Sequence, residues 1–281
     1  MRTIAHISDL HFGRVNTLIP PALREALLQA RPDVVVVSGD LTQRARRLEF
    51  AAARAFLDSL PFPQIVVPGN HDVPLHDVMR RWLAPLEKYR QFINGDVEPF
   101  YADDEVAIQG VSTARSLAWK NGRINRMQVE RTCTSLTAVG PDVTRIVVTH
   151  HPFDLPGEGR GGSLVGRAEM AITAFTKCRV DMILSGHFHV GHAARWTRHH
   201  PAALDHAAIL VQAGTATSSR CRDEANSWNL IRIERPDVVI ERQTWEPARE
   251  LFEPSLRETF QLREGGWMPL PEAAQSSARA S

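Results

Sequence analysis

Five short blocks of potential metal ligands stand out in the chain, and each closes a run of apolar residues. The first is Ser8-Asp9-Leu10-His11 after 4–7. The second is Ser38-Gly39-Asp40 after 34–37. The third is Pro68-Gly69-Asn70-His71-Asp72 after 65–67. The fourth is His150-His151-Pro152 after 146–149, and the fifth is Ser185-Gly186-His187-Phe188-His189 after 182–184. Taken singly, most of these have a bland alternative. Asp after Ser is a common turn or cap residue, Gly39-Asp40 reads as a turn, and His150-His151 reads as a strand-end pair. Gly69-Asn70-His71-Asp72 carries more side-chain chemistry than a tight turn needs. Gly186-His187-Phe188-His189 is the strongest alone, because an extended backbone there places both imidazoles on one side. The set is more telling than its members. Burying so many polar groups at strand ends without a shared partner is costly, and a cation pair removes that cost.

The donor types narrow the ion. Asp, Asn and His offer oxygen and nitrogen with no thiolate, which suits manganese, iron, zinc, cobalt or nickel and disfavours copper(I) or an iron–sulfur cluster. A structural zinc site closes with four ligands and commonly uses cysteine. Here Cys133, Cys178 and Cys221 are widely spaced with no CxxC pair. Seven candidate ligands without cysteine therefore point to two ions with open positions.

The elements that must position these blocks alternate. Strands are expected at 3–7, 33–37, 64–67, 105–111, 145–149 and 180–184. Between them lie helical patterns at 20–30, 46–60, 78–93 with a break at Pro85, 126–139 and 167–177. Beyond residue 207 strands dominate, at 207–212, 228–234 and 238–245. The four consecutive valines at 34–37 have the composition of a strand covered on both faces. This order indicates an α/β (α+β) domain in layers, in which ligands gather at the carboxyl ends of strands. The glycine-rich 157–162 is a loop within the domain. Residues 1–248 are expected to form that domain and 249–281 a C-terminal extension, its last dozen residues disordered. Leu251, Phe252, Leu256, Phe260 and Trp267 of the extension fit packing on the domain or a homodimer contact.

Bulk composition bounds the partners. Lys and Arg number 33 against 32 Asp and Glu, a net charge of +1. No charge block marks a nucleic-acid tail or a membrane-binding patch. No run approaches the roughly 18 apolar residues of a membrane span, and the first residues carry no leader pattern. Three cysteines without framework spacing fit a reducing compartment. Cytoplasmic location and no membrane partner are the expectations, and the composition argues against a dedicated nucleic-acid binder.

The ordered set D-x-H, GD, GNH-D, a lone strand-end H and GHxH resembles the calcineurin-like metallophosphoesterase superfamily. Within it, the ISDLH, GDL, PGNHD and HHP strings are similar to bacterial class III cyclic-nucleotide phosphodiesterase-like proteins. The resemblance implies an αββα sandwich of two mixed sheets flanked by helices. It implies that Asp9, His11 and His189 bind one ion and Asn70, His150 and His187 the other, with Asp40 bridging. His71 is then a catalytic group beside the substrate, oriented by Asp72. The cofactors are two divalent or trivalent ions (Mn²⁺, Fe²⁺/Fe³⁺ or Zn²⁺).

The expected activity is that of a phosphoric ester hydrolase working by in-line attack of a metal-held hydroxide between ions about 3.5–4 Å apart. The substrate is a small phosphodiester, with a 3′,5′-cyclic nucleotide foremost. A nucleotide-linked pyrophosphate, a glycerophosphodiester, a nucleic-acid end and a non-catalytic scaffold are the alternatives. Arg14, Arg44, Arg46 and Arg160 are candidate phosphate contacts together with Asn70 and His71. His151 and His192 are candidate supports, and His76, His199, His200 and His206 read as structural or exposed.

Overall fold

The computed structural model describes residues 1–75, 77–116, 121–155, 164–196, 206–219 and 224–271. The chain opens with strand β1 (Arg2–Ile7), helix α1 (Ile19–Ala30), strand β2 (Val34–Val37), helix α2 (Arg47–Asp58) and strand β3 (Gln64–Val66). Two short helices follow, α3 (Val78–Leu83) and α4 (Glu87–Phe92), divided at 84–86 where the sequence places Pro85. The second half-domain comprises β4 (Phe100–Ala102), β5 (Val106–Gly110), α5 (Arg126–Thr137), β6 (Thr144–Val148), α6 (Ala168–Lys177), β7 (Met182–Ser185), β8 (His192–Arg195) and β9 (Ile209–Gln212). The chain then returns to the first sheet through β10 (Ser227–Glu234), β11 (Asp237–Glu246), β12 (Leu251–Arg263) and β13 (Gly266–Pro269).

Two mixed sheets result. The first has the order β13-β12-β11-β10-β1-β2-β3, and the second β4-β5-β6-β7-β9-β8. The valine run shows why they stack. Successive strand residues point to opposite faces, so Val34 and Val36 enter a core shared with Ile108, Ile146, Val148, Met182 and Leu184 of the other sheet. Val35 and Val37 face the other way, into a core with Leu23 and Leu27 of α1 and Phe50 and Leu57 of α2. The second sheet repeats the arrangement. Val147, Ile183 and Leu210 pack against Val129 and Leu136 of α5 and Ile172 and Phe175 of α6. The layers are thus helix, sheet, sheet, helix, as expected. Local signals mark the helices. Pro20 and Pro21 stand at the start of α1. A reciprocal box opens α5, in which Asn125 Oδ1 accepts from Gln128 N at 2.9 Å and Gln128 Oε1 accepts from Asn125 N at 3.0 Å.

Residues 249–271, set apart in the sequence as an extension, pair into the first sheet instead. β12 lies antiparallel to β11 along its whole length, with a register shift between Arg242 and Gln243 that places Pro254 opposite Gln243. A bulge is where a strand tolerates proline. Together with the half-exposed faces of β12, it hides the alternation that would have marked a strand. β13 then carries Trp267 into the inter-sheet core. Its indole N–H donates to Asp181 Oδ1 at 2.8 Å, and its backbone N–H donates to the Ala207 carbonyl at 2.9 Å. β13 therefore ties the two sheets together at one edge. Residues 272–281, expected to be disordered, lie outside the described residues.

Cys133 of α5 and Cys178 at the end of α6 form a disulfide with a Cα separation of 5.6 Å. The pairing counts against the expectation that three cysteines without framework spacing belong to a reducing compartment. Their spacing in sequence holds no sign of the pairing, because the packing of α5 on α6 brings them together. Cys221 lies outside the described residues. Among the described residues no helix is long and apolar enough to cross a membrane.

Trp267 is fully buried and hydrogen-bonded to a buried carboxylate. Trp267→Ala should lower unfolding free energy by about 3–5 kcal/mol, measured by chemical denaturation. A change under about 1 kcal/mol would show that the C-terminal strands are dispensable.

Candidate metal centre

The loops that follow β1 and β2 run side by side beyond the sheet. Asp9 N donates to the Gly39 carbonyl at 3.1 Å, His11 N to the Asp40 carbonyl at 2.9 Å and Phe12 N to the Leu41 carbonyl at 2.9 Å. Asp9, His11 and Asp40 have φ of 53°, 47° and 52°, a left-handed backbone that non-glycine residues seldom adopt. Leu10, between the first two, packs into the helix-side core. From behind, the connection between β9 and β10 supports the first loop. Thr215 Oγ1 donates to the Asp9 carbonyl at 2.8 Å, Thr217 Oγ1 to the Leu10 carbonyl, and Ala216 N to the Ser8 carbonyl.

His187 and His189 also have left-handed backbones, with φ of 76° and 61°. The extended segment that would align them on one side is therefore absent, and the imidazoles diverge. His189 Nε2 lies 3.2 Å from Asp9 Oδ1 and 3.3 Å from His11 Nε2. His187 Nδ1 lies 3.3 Å from His150 Nε2. His150 is oriented by its Nδ1–H, which donates to the Ser38 carbonyl at 2.8 Å. Its Nε2 then faces Asn70 Oδ1 at 3.2 Å and Asp40 Oδ2 at 3.3 Å. Asp40 Oδ2 is also 3.8 Å from His11 Nε2. The seven predicted ligands thus form two groups, Asp9-His11-His189 and Asn70-His150-His187, with the Asp40 carboxylate between them.

Close approach requires glycine at two of the turns. A Cβ on Gly39, at φ +94°, would meet the His150 ring at 2.7 Å. One on Gly186 would lie 1.9 Å from Ser8 Oγ and 2.6 Å from Asp9 Oδ2.

The donor atoms fit a pair of cations. His11 Nε2 faces His189 Nε2, and His150 Nε2 faces His187 Nδ1. In each pair two imidazole nitrogens meet, and lone pairs turned on one another need a proton or a cation between them. Asp9 Oδ1 is buried without a hydrogen-bond donor. Two sets of three, Asp9-His11-His189 and Asp9-Asp40-His150, place their ligand atoms within 4.8 Å of one another. His11-Asp40-His71 and His150-His151-His187 do the same.

The electrostatics follow from burial without a cation. Burial works to raise Asp9, but His189 and His11 hold it well below the usual carboxylate range. Asp40 is likewise held low against its burial, by His150, His71 and His11. Burial works to lower His150, but Asp40 and Asp9 push it up to about 9. His11 is raised against its own burial by Asp9 and Asp40. His187, which meets the His150 charge, is lowered to about 4 by burial and that charge. Protons stand where a metal's charge would act.

One expected contact is absent. Asp72 does not orient His71. Its carboxylate accepts from Gly69 N at 2.9 Å, Leu41 N at 3.2 Å, Thr42 N at 2.9 Å and Thr42 Oγ1 at 2.9 Å. It therefore clamps the Asp40 loop to the Asn70 turn. Burial and the charge of Asp40 raise it to about 6, against the pull of its Gly69 and Thr42 donors. His71 is held from two other sides. Its backbone N–H donates to Asp40 Oδ1 at 2.8 Å, and its Nδ1–H donates to the Gln43 carbonyl at 2.8 Å.

Arg14 and Arg44 are exposed beside the ligand loops. Arg46 is exposed and pairs with Glu49 at 3.9 Å, and Arg160 lies outside the described residues. His151 Nδ1 is 2.8 Å from Thr113 Oγ1. His192 begins β8, half-buried. His206 is buried against Asp181 at 2.9 Å, at the end of β7 opposite the centre. His76, His199 and His200 lie outside the described residues. Gln43, Thr215 and Thr217 support the centre without belonging to any of the five ligand blocks, and the sequence signal for the two threonines is the small polar run from Gly214 to Ser219 after β9.

Comparison with known proteins agrees with this geometry. The sequence is 38% identical over 164 residues to the glycerophosphodiester phosphodiesterase GpdQ of Enterobacter lignolyticus, a match covering 54% of this chain and 58% of that protein. It is 26% identical over 203 residues to a probable cyclic nucleotide phosphodiesterase of Synechococcus, covering 66% and 73%. The chain thus spans less than two thirds of the length of GpdQ. In fold it is similar to a purple acid phosphatase from yellow lupin, with a TM-score of 0.69 at 14% identity over 91% of this chain and 53% of that one. It is also similar to a dimetal phosphatase from Danio rerio, with a TM-score of 0.60 at 15% identity over 86% and 96%. The family profile of the calcineurin-like phosphoesterases matches residues 2–191. The chain belongs to the calcineurin-like phosphoesterase family.

Proposed function

We propose that this protein hydrolyses phosphodiesters at two metal ions held by Asp9, His11, Asp40, Asn70, His150, His187 and His189. The observation that carries the reading is the Asp40 carboxylate lying between two clusters of imidazole nitrogens that face one another. When bound, the ions supply Lewis-acid activation of water and of the phosphoryl oxygens. The oxygen and nitrogen donors suit Mn²⁺, Fe²⁺/Fe³⁺ or Zn²⁺.

The chain's own residues do the rest. Asp9 and Asp40 offset two of the four charges of a divalent pair, so the cradle stays positive towards a diester monoanion. The Gln43 carbonyl fixes His71 through Nδ1 and leaves Nε2 to hydrogen-bond a phosphoryl oxygen or to protonate the leaving alkoxide. Asp72 acts one step away, keeping Asp40 and Asn70 in register. Arg14 and Arg44, exposed beside the ligand loops, offer cations to an approaching anion.

A 3′,5′-cyclic nucleotide is the first substrate reading, supported by the motif spacing and by the Synechococcus relative. The higher identity to GpdQ favours a glycerophosphodiester as the second. Rates on cyclic AMP, glycerophosphoethanolamine and a nitrophenyl phosphomonoester, with metal-analysed protein, separate them. A monoester rate above both diesters would defeat the diester reading.

His71→Ala should cut turnover by about 10²–10⁴-fold with both ions retained, whereas Asp40→Ala should lose metal as well as activity. Metal analysis beside kinetics checks this, and equal metal loss in both variants contradicts the assigned roles. Metal uptake should also release protons. His150, raised to about 9 without metal, carries a proton at neutral pH that a cation must displace, so affinity falls as pH falls. The proton released per ion should shrink as pH rises through about 9. Calorimetry in buffers of different ionisation enthalpy measures it, and uptake with no proton release at neutral pH would refute the coupling.

A further inference from the structure

Helix α3 presents its residues in reverse of the usual order. Val78 with Trp82, and Met79 with Leu83, are i,i+4 pairs on adjoining rows of one face. All four point to solvent, 62%, 59%, 73% and 79% exposed, with Leu75 at 39% just ahead of the helix. The inward position belongs to Arg81, only 4% exposed. Its Nε donates to the Ser116 carbonyl at 2.7 Å and its guanidinium to the Pro74 carbonyl at 3.1 Å. A surface helix ordinarily buries its apolar stripe and solvates its arginines. Here the buried arginine fixes the rotation that turns the apolar stripe outward. In the chain the helix follows a few residues after the Asn70–Asp72 turn.

Size and charge say what covers it. A six-residue helix is about 9 Å long, and one face of it falls well short of the roughly 800 Å² per partner that a stable dimer buries. Besides the buried Arg81, the cations Arg80, Lys88 and Arg90 stand between Val73 and Arg90 against the carboxylates Asp77 and Glu87, with Arg80 Nε 3.5 Å from Asp77 Oδ2. Arg44, Arg46 and Arg47 are exposed on the adjoining turn, where Lys88 Nζ donates to the Ala45 carbonyl at 2.8 Å. Two copies joined through this face would set cation against cation. A small protruding face of Trp, Leu, Met and Val flanked by basic residues matches the boundary between headgroups and acyl chains in an anionic bilayer.

We propose that the α3 face docks the protein peripherally on an anionic lipid surface, with Met79, Trp82 and Leu83 entering the headgroup boundary. This departs from the expectation of no membrane partner. That expectation rested on charge blocks and long apolar runs, and the patch depends instead on how a short helix is turned. The inference stands independently of the phosphodiesterase reading, since vesicle binding is measured without turnover.

The test is co-sedimentation of the full chain with vesicles of phosphatidylcholine alone and of phosphatidylcholine mixed with phosphatidylglycerol. The Met79→Ser/Leu83→Ser double variant and Arg80→Gln are compared with the parent. All three side chains are exposed and outside the metal constellation, so melting temperature and metal content report that folding is intact. Expected are binding to the mixed vesicles that weakens with salt, a loss of about tenfold or more in the double variant, and a smaller loss in Arg80→Gln. No parent binding to mixed vesicles, or undiminished binding by the double variant, overturns the proposal. So does equal binding to both vesicle types. A dimer in sedimentation velocity that the double variant abolishes would assign the face to a second copy and overturn it as well.

Discussion

Two carboxylates taken out of water set the terms for this fold. Asp9 and Asp40 lie where the loops beyond β1 and β2 run together, both buried. A buried charge is tolerated only when it is paired and hydrogen-bonded. The second sheet meets that requirement from the opposite side of the crevice, sending His150 from β6 and His187 and His189 from β7. The sandwich can be read as the arrangement that lets two sheets contribute opposite charges to one cavity. The core between the sheets is largely apolar, and the buried His6 of β1, its Nε2 2.9 Å from Ser38 Oγ, stands where it gives way to the ligand loops.

The same requirement explains where backbone strain sits. Of the seven candidate ligands, Asp9, His11, Asp40, His187 and His189 are left-handed. Such conformations cost of order 1–3 kcal/mol each and persist only where the surroundings over-determine them. The surroundings here are identifiable. Thr215, Thr217 and Ala216 hold the first loop from behind, and Asp72 gathers four donors from the second and third. His187 N donates to Asp9 Oδ2 at 3.0 Å, which locks the fifth block onto the first. Ligand geometry is therefore maintained by backbone contacts between loops. This is why residues that would never touch a metal, such as Thr215 and Asp72, belong to the centre.

Much of this was legible in the sequence, for a definite reason. The valine run divides between two cores because strand alternation is geometric, and the five blocks follow five strands because ligands gather at carboxyl ends. Each depends only on neighbours along the chain. What could not be read depends on neighbours across it. The pairing of Cys133 with Cys178 needs α5 laid on α6. The bond of His71 to the Gln43 carbonyl, in place of Asp72, needs two loops in register. The strand β12 is masked by Pro254, which is acceptable only because a bulge faces Gln243. The divergence of His187 and His189 inverts a correct premise about alternation, since the strand ends at Ser185, before either histidine.

Helix α3 shows the limit of sequence patterning most plainly. Its residues have an ordinary amphipathic make-up, with apolar and basic groups at helical spacing, and any reading by period would turn the apolar stripe inward. Two carbonyls decide otherwise. The Pro74 and Ser116 oxygens accept from the Arg81 guanidinium, and these bonds offset the burial that disfavours its charge. Rotation of the helix is then set by hydrogen bonds, and hydrophobic burial follows as the dependent quantity. Exposure of the apolar face carries a free-energy cost, and docking on a surface outside the chain would recover it.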